Sequence, residues 1–312
     1  MKAKAGNTAR YFHLGSCWLI IKAQLKELYF KMKLQGNWFR YKRRDQKSAG
    51  SAHKDIFVSL TSHPPRFCTL HLTLKSLLIQ SVRPKELILW IVHDDMKLLP
   101  RKVIALQRYG LIIKGCEDLK SYTKLIPFLR ENRDATVVIA DDDIYYWRDW
   151  LKELVQAQRP DHAEVICHRM HRIKLSPEGV PLPYMAWEYE SVATEPSVLN
   201  FPTGVLGVLY PPNILHATVL DMQTALDLCP SGDDIWFYWM ARLGNASIRR
   251  VDKISSIYCW RSSQSVALAF KNTREGFNDV QIANMVKRYG FFGVNVDKND
   301  WPDSKGKVCK NI

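Results

Sequence analysis

Between residues 55 and 158 short apolar runs alternate with helix-patterned segments, and that alternation leaves few folds open to the chain. DIFVSLT (55–61), ELILWIV (86–92), LIIK (111–114) and ATVVIA (135–140) are short and rich in branched residues, as strands are. The segments between them have helical spacing. RFCTLHLTLKSLLIQ (66–80) repeats leucine at 70, 74, 77 and 78, and LPRKVIALQRYG (99–110) ends on a glycine. SYTKLIPFLREN (121–132) and YWRDWLKELVQAQ (146–158) continue the pattern. Strands alternating with helices predict an α/β fold with a largely parallel sheet. In such sheets ligands sit beyond the carboxyl ends of the strands.

The fourth apolar run ends abnormally. In VVIADDDIYYW (137–147) a buried-type strand leads straight into Asp141, Asp142 and Asp143. Three carboxylates in a row repel one another unless a cation or hydrogen-bond donors offset them. Mg²⁺ or Mn²⁺ would do so, taking one or two carboxylates and leaving positions for substrate phosphates. The alternative is that one aspartate caps a helix beginning near Tyr146 and the others favour its dipole. No GxxxxGK[ST] loop accompanies the acids: Gly306-Lys307 is followed by Val308, in a polar tail. No GxGxxG turn follows the first strand either, which removes the main signals for a P-loop NTPase and for a nicotinamide enzyme.

The basic charge is concentrated at one end. Of a formal net charge of +14, residues 1–54 carry +11, with 13 Lys and Arg against Glu27 and Asp45. Within them CWLIIKAQLKELYFKMKLQGNWFRYKRR sets Trp18, Ile21, Leu25, Leu28 and Met32 three and four apart with lysines between, the pattern of a basic amphipathic helix. Two roles are open to it: lying on an anionic membrane surface, or packing on the body with a solvated basic face. DQKSAGSAHKD (45–55) reads as a linker, giving an arm and linker over 1–52 and one catalytic domain over 53–312. Seven scattered cysteines without a CxxC predict free thiols in a reducing, cytoplasmic compartment.

A second acidic signal lies at CPSGDDIWFYWMARLG (229–244), where Asp233 and Asp234 open an aromatic helix after a Ser-Gly turn. Capping is the simple reading of the pair, and Asp233 suits it. CHRMHRI (167–173) sets His168 and His171 three apart without a third metal-ligand partner, which favours Arg169 and Arg172 as acceptor or phosphate contacts. TGVLGVLYPP (203–212) reads as a strand and loop whose Gly204 and Gly207 permit close backbone approach, as an acceptor-side wall would. Asn278-Asp279 reads as a helix cap.

Taken in order, SLTSHPPR, SLLIQSVRPKELILW, SYTKLIPFL, VVIADDDIYY and SGDDIWFYW resemble bacterial nucleotide-sugar glycosyltransferases of the GT-A type, family 2-like enzymes of surface-polysaccharide assembly. The resemblance covers roughly residues 55–290 and implies a single α/β GT-A-like domain with a mostly parallel central sheet. It implies a DxD motif in which Asp143 and Asp141 serve a Mn²⁺ or Mg²⁺ ion on the donor diphosphate, Asp141 also lying near the ribose. It further implies Thr61, Ser62, Arg66, Asp94 and Asp142 around the nucleotide, Lys124 on phosphate or ribose, Asp233 in substrate binding, and Asp234 as the base for the acceptor hydroxyl. The implied reaction is inverting transfer from a nucleotide-sugar to a saccharide or lipid-linked saccharide, in polysaccharide or lipopolysaccharide synthesis. The QxxRW helix of processive synthases is missing, with only YCWRSSQS (258–265) after Asp234, so one sugar or a few would be added. Two other classes compete: a nucleotidyl- or phosphotransferase using the same acids, and a nucleic-acid binder led by the basic arm. The latter fits poorly, because the remaining 258 residues carry only +3.

Overall fold

The computed structural model describes residues 6–43, 55–253, 256–260 and 276–291, with side chains from residue 21 onward. The chain divides into two units, Met1–Ala49 and Gly50–Ile312. Residues 45–54 of the expected linker, the boundary near residue 53, the stretch of YCWRSSQS past 260, the Trp18 side chain and Gly306-Lys307 lie outside the described residues. In the first unit one helix, α1 (Gly6–Arg43), extends the predicted amphipathic segment, and Arg40, Lys42 and Arg43 in its last turn complement its negative pole. Among the described residues no helix is long and apolar enough to cross a membrane.

In the second unit the predicted strands form: β1 (Ile56–Thr61), β2 (Glu86–Val92), β3 (Leu111–Cys116) and β4 (Thr136–Ala140). They are followed by β5 (Glu164–Cys167), β6 (Met170–Arg172), β7 (Asn200–Pro202), β8 (Val208–Tyr210) and β9 (Ser247–Arg250). Seven of these make one α/β sheet in the order β3-β2-β1-β4-β8-β5-β9, while β6 and β7 pair separately. All neighbours are parallel except β8, which runs antiparallel between β4 and β5. β1 and β4 are buried almost throughout, as strands covered on both faces must be, which explains their near-continuous apolar sequences.

The order of the strands positions the site. From β1 the chain steps outward to β2 and β3, then returns to lay β4 on the other side of β1, with Leu60 opposite Ala140. The loops after β1 and β4 therefore leave one edge at the point where the strand order reverses, the usual crevice for a ligand in an open sheet.

Helices α2 (Phe67–Leu78), α3 (Arg101–Ile104), α4 (Ile126–Glu131) and α5 (Trp150–Gln156) fall within the predicted segments, but α3, α4 and α5 are clearly shorter than their periodicity suggests. α3 passes into a 3₁₀ turn that ends on Gly110 at φ 100°, and Lys120–Lys124 is 3₁₀ rather than α. α5 starts at Trp150, not near Tyr146. Gln80, just past α2, accepts from the Leu151 N–H in the first turn of α5 and donates to the Trp147 carbonyl, so a distant side chain fixes the start. The strand-end aspartates are thus separated from the helix by residues 144–149, and capping does not account for them. The remaining helices are α6 (Met222–Leu228), α7 (Asp233–Leu243) and α8 (Phe277–Tyr289).

Of the two glycines before β8, Gly207 is held most tightly. Its φ is 95°, and a Cβ there would lie 2.6 Å from Trp150 Cζ2 and 3.1 Å from the Ile139 carbonyl oxygen. Gly207→Ala combines left-handed strain with overpacking and is expected to cost about 2–4 kcal/mol, read from the urea midpoint. Gly276→Ala, at φ 73° with open space around it, should cost only the strain, about 1–2 kcal/mol.

Candidate active site

Asp141, Asp142 and Asp143 leave β4 beside the loop that leaves β1, and the two loops are joined by charge. Asp142 is 4% exposed; it accepts from Ser62 Oγ and, at 2.6 Å, from Arg66 Nη1. The same guanidinium nitrogen lies 3.5 Å from Asp143 Oδ2. Burial works against the charge on Arg66, but Asp142 and Asp143 outweigh it and raise its pKa. Asp142 therefore holds the first loop to the second. The turn is backed by residues 258–260: Trp260 N–H donates to the Asp143 carbonyl and Tyr145 N–H to the Tyr258 carbonyl, both at 2.9 Å. The Asp141 N–H donates to Tyr146 Oη at 2.7 Å.

Lys124 ties this turn to the other acidic signal. Its ammonium is 3.0 Å from Asp141 Oδ1 and 3.2 Å from Asp233 Oδ2. Its position is set from the sheet, because Ser59 in β1 donates to the Lys124 carbonyl at 2.6 Å and accepts from Trp90 Nε1 in β2 at 3.0 Å. Burial would strip the charge from this lysine, yet Asp141, Asp233 and Asp234 together hold its pKa well above the ordinary value.

Neither aspartate at the start of α7 has its side chain bonded to the helix terminus; the N-cap is Gly232. Asp234 Oδ1 instead accepts from the Gly204 N–H at 3.0 Å. A side chain at Gly204 would crowd both groups: a Cβ would lie 3.0 Å from Asp234 Oδ1 and 3.2 Å from Lys124 Nζ, so one of them would have to shift. Burial and the neighbouring Asp233 push the Asp234 carboxyl up to about 7, while Lys124 and the Gly204 N–H pull the other way. A carboxylate titrating near neutrality is suited to accept a proton.

The other predicted residues are placed variously. Thr61 Oγ1 donates to the Trp90 carbonyl at 3.0 Å, a contact between strand ends. Asp94 is exposed in the 3₁₀ turn after β2, two strands from β4. His168 and His171 do not meet: His168 Nε2 lies 3.0 Å from the Trp150 carbonyl, and His171 Nδ1 accepts from the Glu190 N–H. Burial lowers their pKa values to about 4 and about 3, so both rings are neutral at pH 7. Arg172 is bound to Asn200, whereas Arg169 donates to Thr203, next to Gly204, so of this pair only Arg169 borders the loop that faces Asp234. Asp279 does not cap its helix; its side chain accepts from the Tyr184 N–H at 2.6 Å. A cavity of about 280 Å³ lined by Arg159, His162 and Pro211 lies near the amino end of β5, at the edge away from these acids.

No family model matches the chain, and no curated protein matches it. Among solved structures, residues 1–349 of TarS from S. aureus are similar over 80% of this chain and 77% of their own, at 18% identity with a TM-score of 0.44. TarS in complex with UDP-GlcNAc is similar over 78% of this chain and 68% of its own, at 16% identity with a TM-score of 0.45. A 4-diphosphocytidyl-2C-methyl-D-erythritol synthase from Anaerococcus prevotii is similar over 63% of this chain and 87% of its own, at 12% identity with a TM-score of 0.40.

Three contributors carry no local signal in the sequence. Ser59 and Tyr146 read as strand and helix residues, and Tyr258–Trp260 read only as a motif that was not QxxRW. Gly204 was visible as a close-approach glycine, but nothing local indicated that its N–H would face a carboxylate. Five carboxylates (Asp141, Asp142, Asp143, Asp233 and Asp234) meet two cationic side chains here, so the edge stays net negative even with Asp234 protonated.

Proposed function

We propose that this chain is a glycosyltransferase that moves a sugar from a nucleotide-sugar to a saccharide or lipid-linked saccharide in surface-polysaccharide synthesis, with inversion at the anomeric carbon and with Mn²⁺ or Mg²⁺. The observation that carries the reading is Lys124, which joins the strand-end acids to the acids of α7 and makes them one site at the sheet's switch point. A nucleotide-sugar needs such a double site, one part for the diphosphate and one for the acceptor.

Among the described residues no three His, Cys, Asp or Glu side chains form a metal cage. A hard cation on a diphosphate needs fewer, since one or two carboxylates suffice, and the residual negative charge of this edge would otherwise repel the donor. We assign that role to Asp143 and Asp141; Asp142 makes the closer contacts to Ser62 and Arg66, while Asp143 lies 3.5 Å from Arg66 and Asp141 3.0 Å from Lys124. Bound there, the cation would act as a Lewis acid toward the departing diphosphate. Lys124 adds a fixed positive charge beside it. On the acceptor side Asp234, steadied by the Gly204 N–H, takes the proton of the attacking hydroxyl as its oxygen bonds to the anomeric carbon. The bond from that carbon to the diphosphate breaks, and a nucleoside diphosphate leaves. The setting we assign is cytoplasmic, since the seven cysteines are scattered along the chain and form no CxxC.

A panel of nucleotide-sugars incubated with Mn²⁺, with and without EDTA, tests the reading by product analysis. The expected result is slow, metal-dependent release of a nucleoside diphosphate from one donor. Inorganic diphosphate as the product would mean a nucleotidyltransferase, and no nucleotide binding under any condition would remove the reading altogether.

A further inference from the structure

The helix of the first unit carries an apolar stripe that water should not be left to cover. Ile21, Leu25, Leu28, Met32 and Phe39 of α1 are 53, 61, 53, 66 and 49% exposed. At about 100° per residue their spacings of four, three, four and seven place all five within about 60° of one another around the helix. They are five of the large apolar side chains exposed among the described residues, gathered on one line. Basic residues flank the stripe on both sides: by the same geometry Lys22, Lys26, Lys33 and Arg40 fall on one flank and Lys31 and Lys42 on the other. From residue 21 to 43 the only acid is Glu27, and it is paired with Lys31 at 2.7 Å.

We propose that this face of α1 docks the protein on an anionic phospholipid bilayer, lying in the interface with the five apolar side chains inserted and the flanking ammonium and guanidinium groups among the headgroups. Charge decides against the nearest competing occupant. A second copy of the helix would bring two strongly basic flanks together, whereas an anionic surface neutralises both flanks while the acyl region takes the stripe. A nucleic acid would satisfy the charges but leave the apolar line in water.

Co-sedimentation of the full-length protein with phosphatidylglycerol–phosphatidylcholine vesicles, against phosphatidylcholine alone, tests this independently of the reaction the body performs. Binding is expected only to the anionic vesicles and is expected to weaken with salt. The pair Leu25→Gln, Met32→Gln, which leaves net charge unchanged, should lower partitioning at least about tenfold. Lys22→Gln, Lys26→Gln and Lys33→Gln together should lower it roughly a hundredfold. Both sets should leave nucleotide affinity at the parent value. Equal binding to neutral vesicles, or undiminished binding of the Leu25/Met32 variant, would overturn the proposal. So would a dimer in sedimentation equilibrium that the Leu25/Met32 variant dissociates.

Discussion

Asp234→Asn is expected to bind metal and nucleotide almost normally and to transfer sugar roughly 10²–10⁴-fold more slowly, the range that a general base supplies. Asparagine keeps the size of the side chain and can still accept from the Gly204 N–H, so α7 and the 203–207 loop stay in place. What is lost is basicity. The same residue sets the pH dependence. Burial and Asp233 hold its carboxyl near 7, so below that pH it is protonated and cannot take the acceptor's proton. Transfer by the parent protein should therefore rise with pH through about 7. Asp233→Asn removes the like charge that helps raise the pKa, and the rise should move to lower pH. Nucleotide affinity by titration and product by mass, on both variants across one pH series, decide the matter. An Asp234→Asn protein that transfers at the parent rate would return that residue to a structural role.

Asp143→Asn should fail at an earlier step. Loss of a partner one shell removed from a metal already costs about 10–100-fold in affinity, so loss of a direct ligand should weaken metal-dependent donor binding by more than that. Calorimetry with UDP and other nucleotides, with Mn²⁺ and then with EDTA, measures it. Unchanged affinity would rule out Asp143 as a ligand. Asp142→Asn separates fold from chemistry in the same triplet. It leaves the half-buried Arg66 guanidinium short of its closest partner, so it should lower the urea midpoint as well as donor affinity. Asp143→Asn should hold the midpoint near the parent value.

The two variants also mark where local information ends. DDD after ATVVIA is legible as an acidic strand end, because the run's length and branched residues specify a strand and the charges cannot continue it. Which aspartate is structural is not legible, since that depends on Ser62 and Arg66 arriving from β1 at the reversal of strand order. The start of α5 is a similar case: the periodicity runs back to Tyr146, but the Gln80 side chain competes for the backbone groups and wins. β8 is legible as a strand, but its antiparallel insertion between β4 and β5 is not, because three residues carry no signal of direction.

The α/β architecture, the two acidic signals and the basic helix are legible along the chain, because each follows from the spacing of residues near one another in it. That the two groups of acids meet is a property of the folded chain alone. Lys124 can bridge Asp141 and Asp233 only after β1 and β2 have fixed its backbone through Ser59 and Trp90, and after the 203–207 loop has brought the Gly204 N–H to Asp234. Ion pairing and pKa depend on distance and burial across the fold, and no local periodicity encodes either.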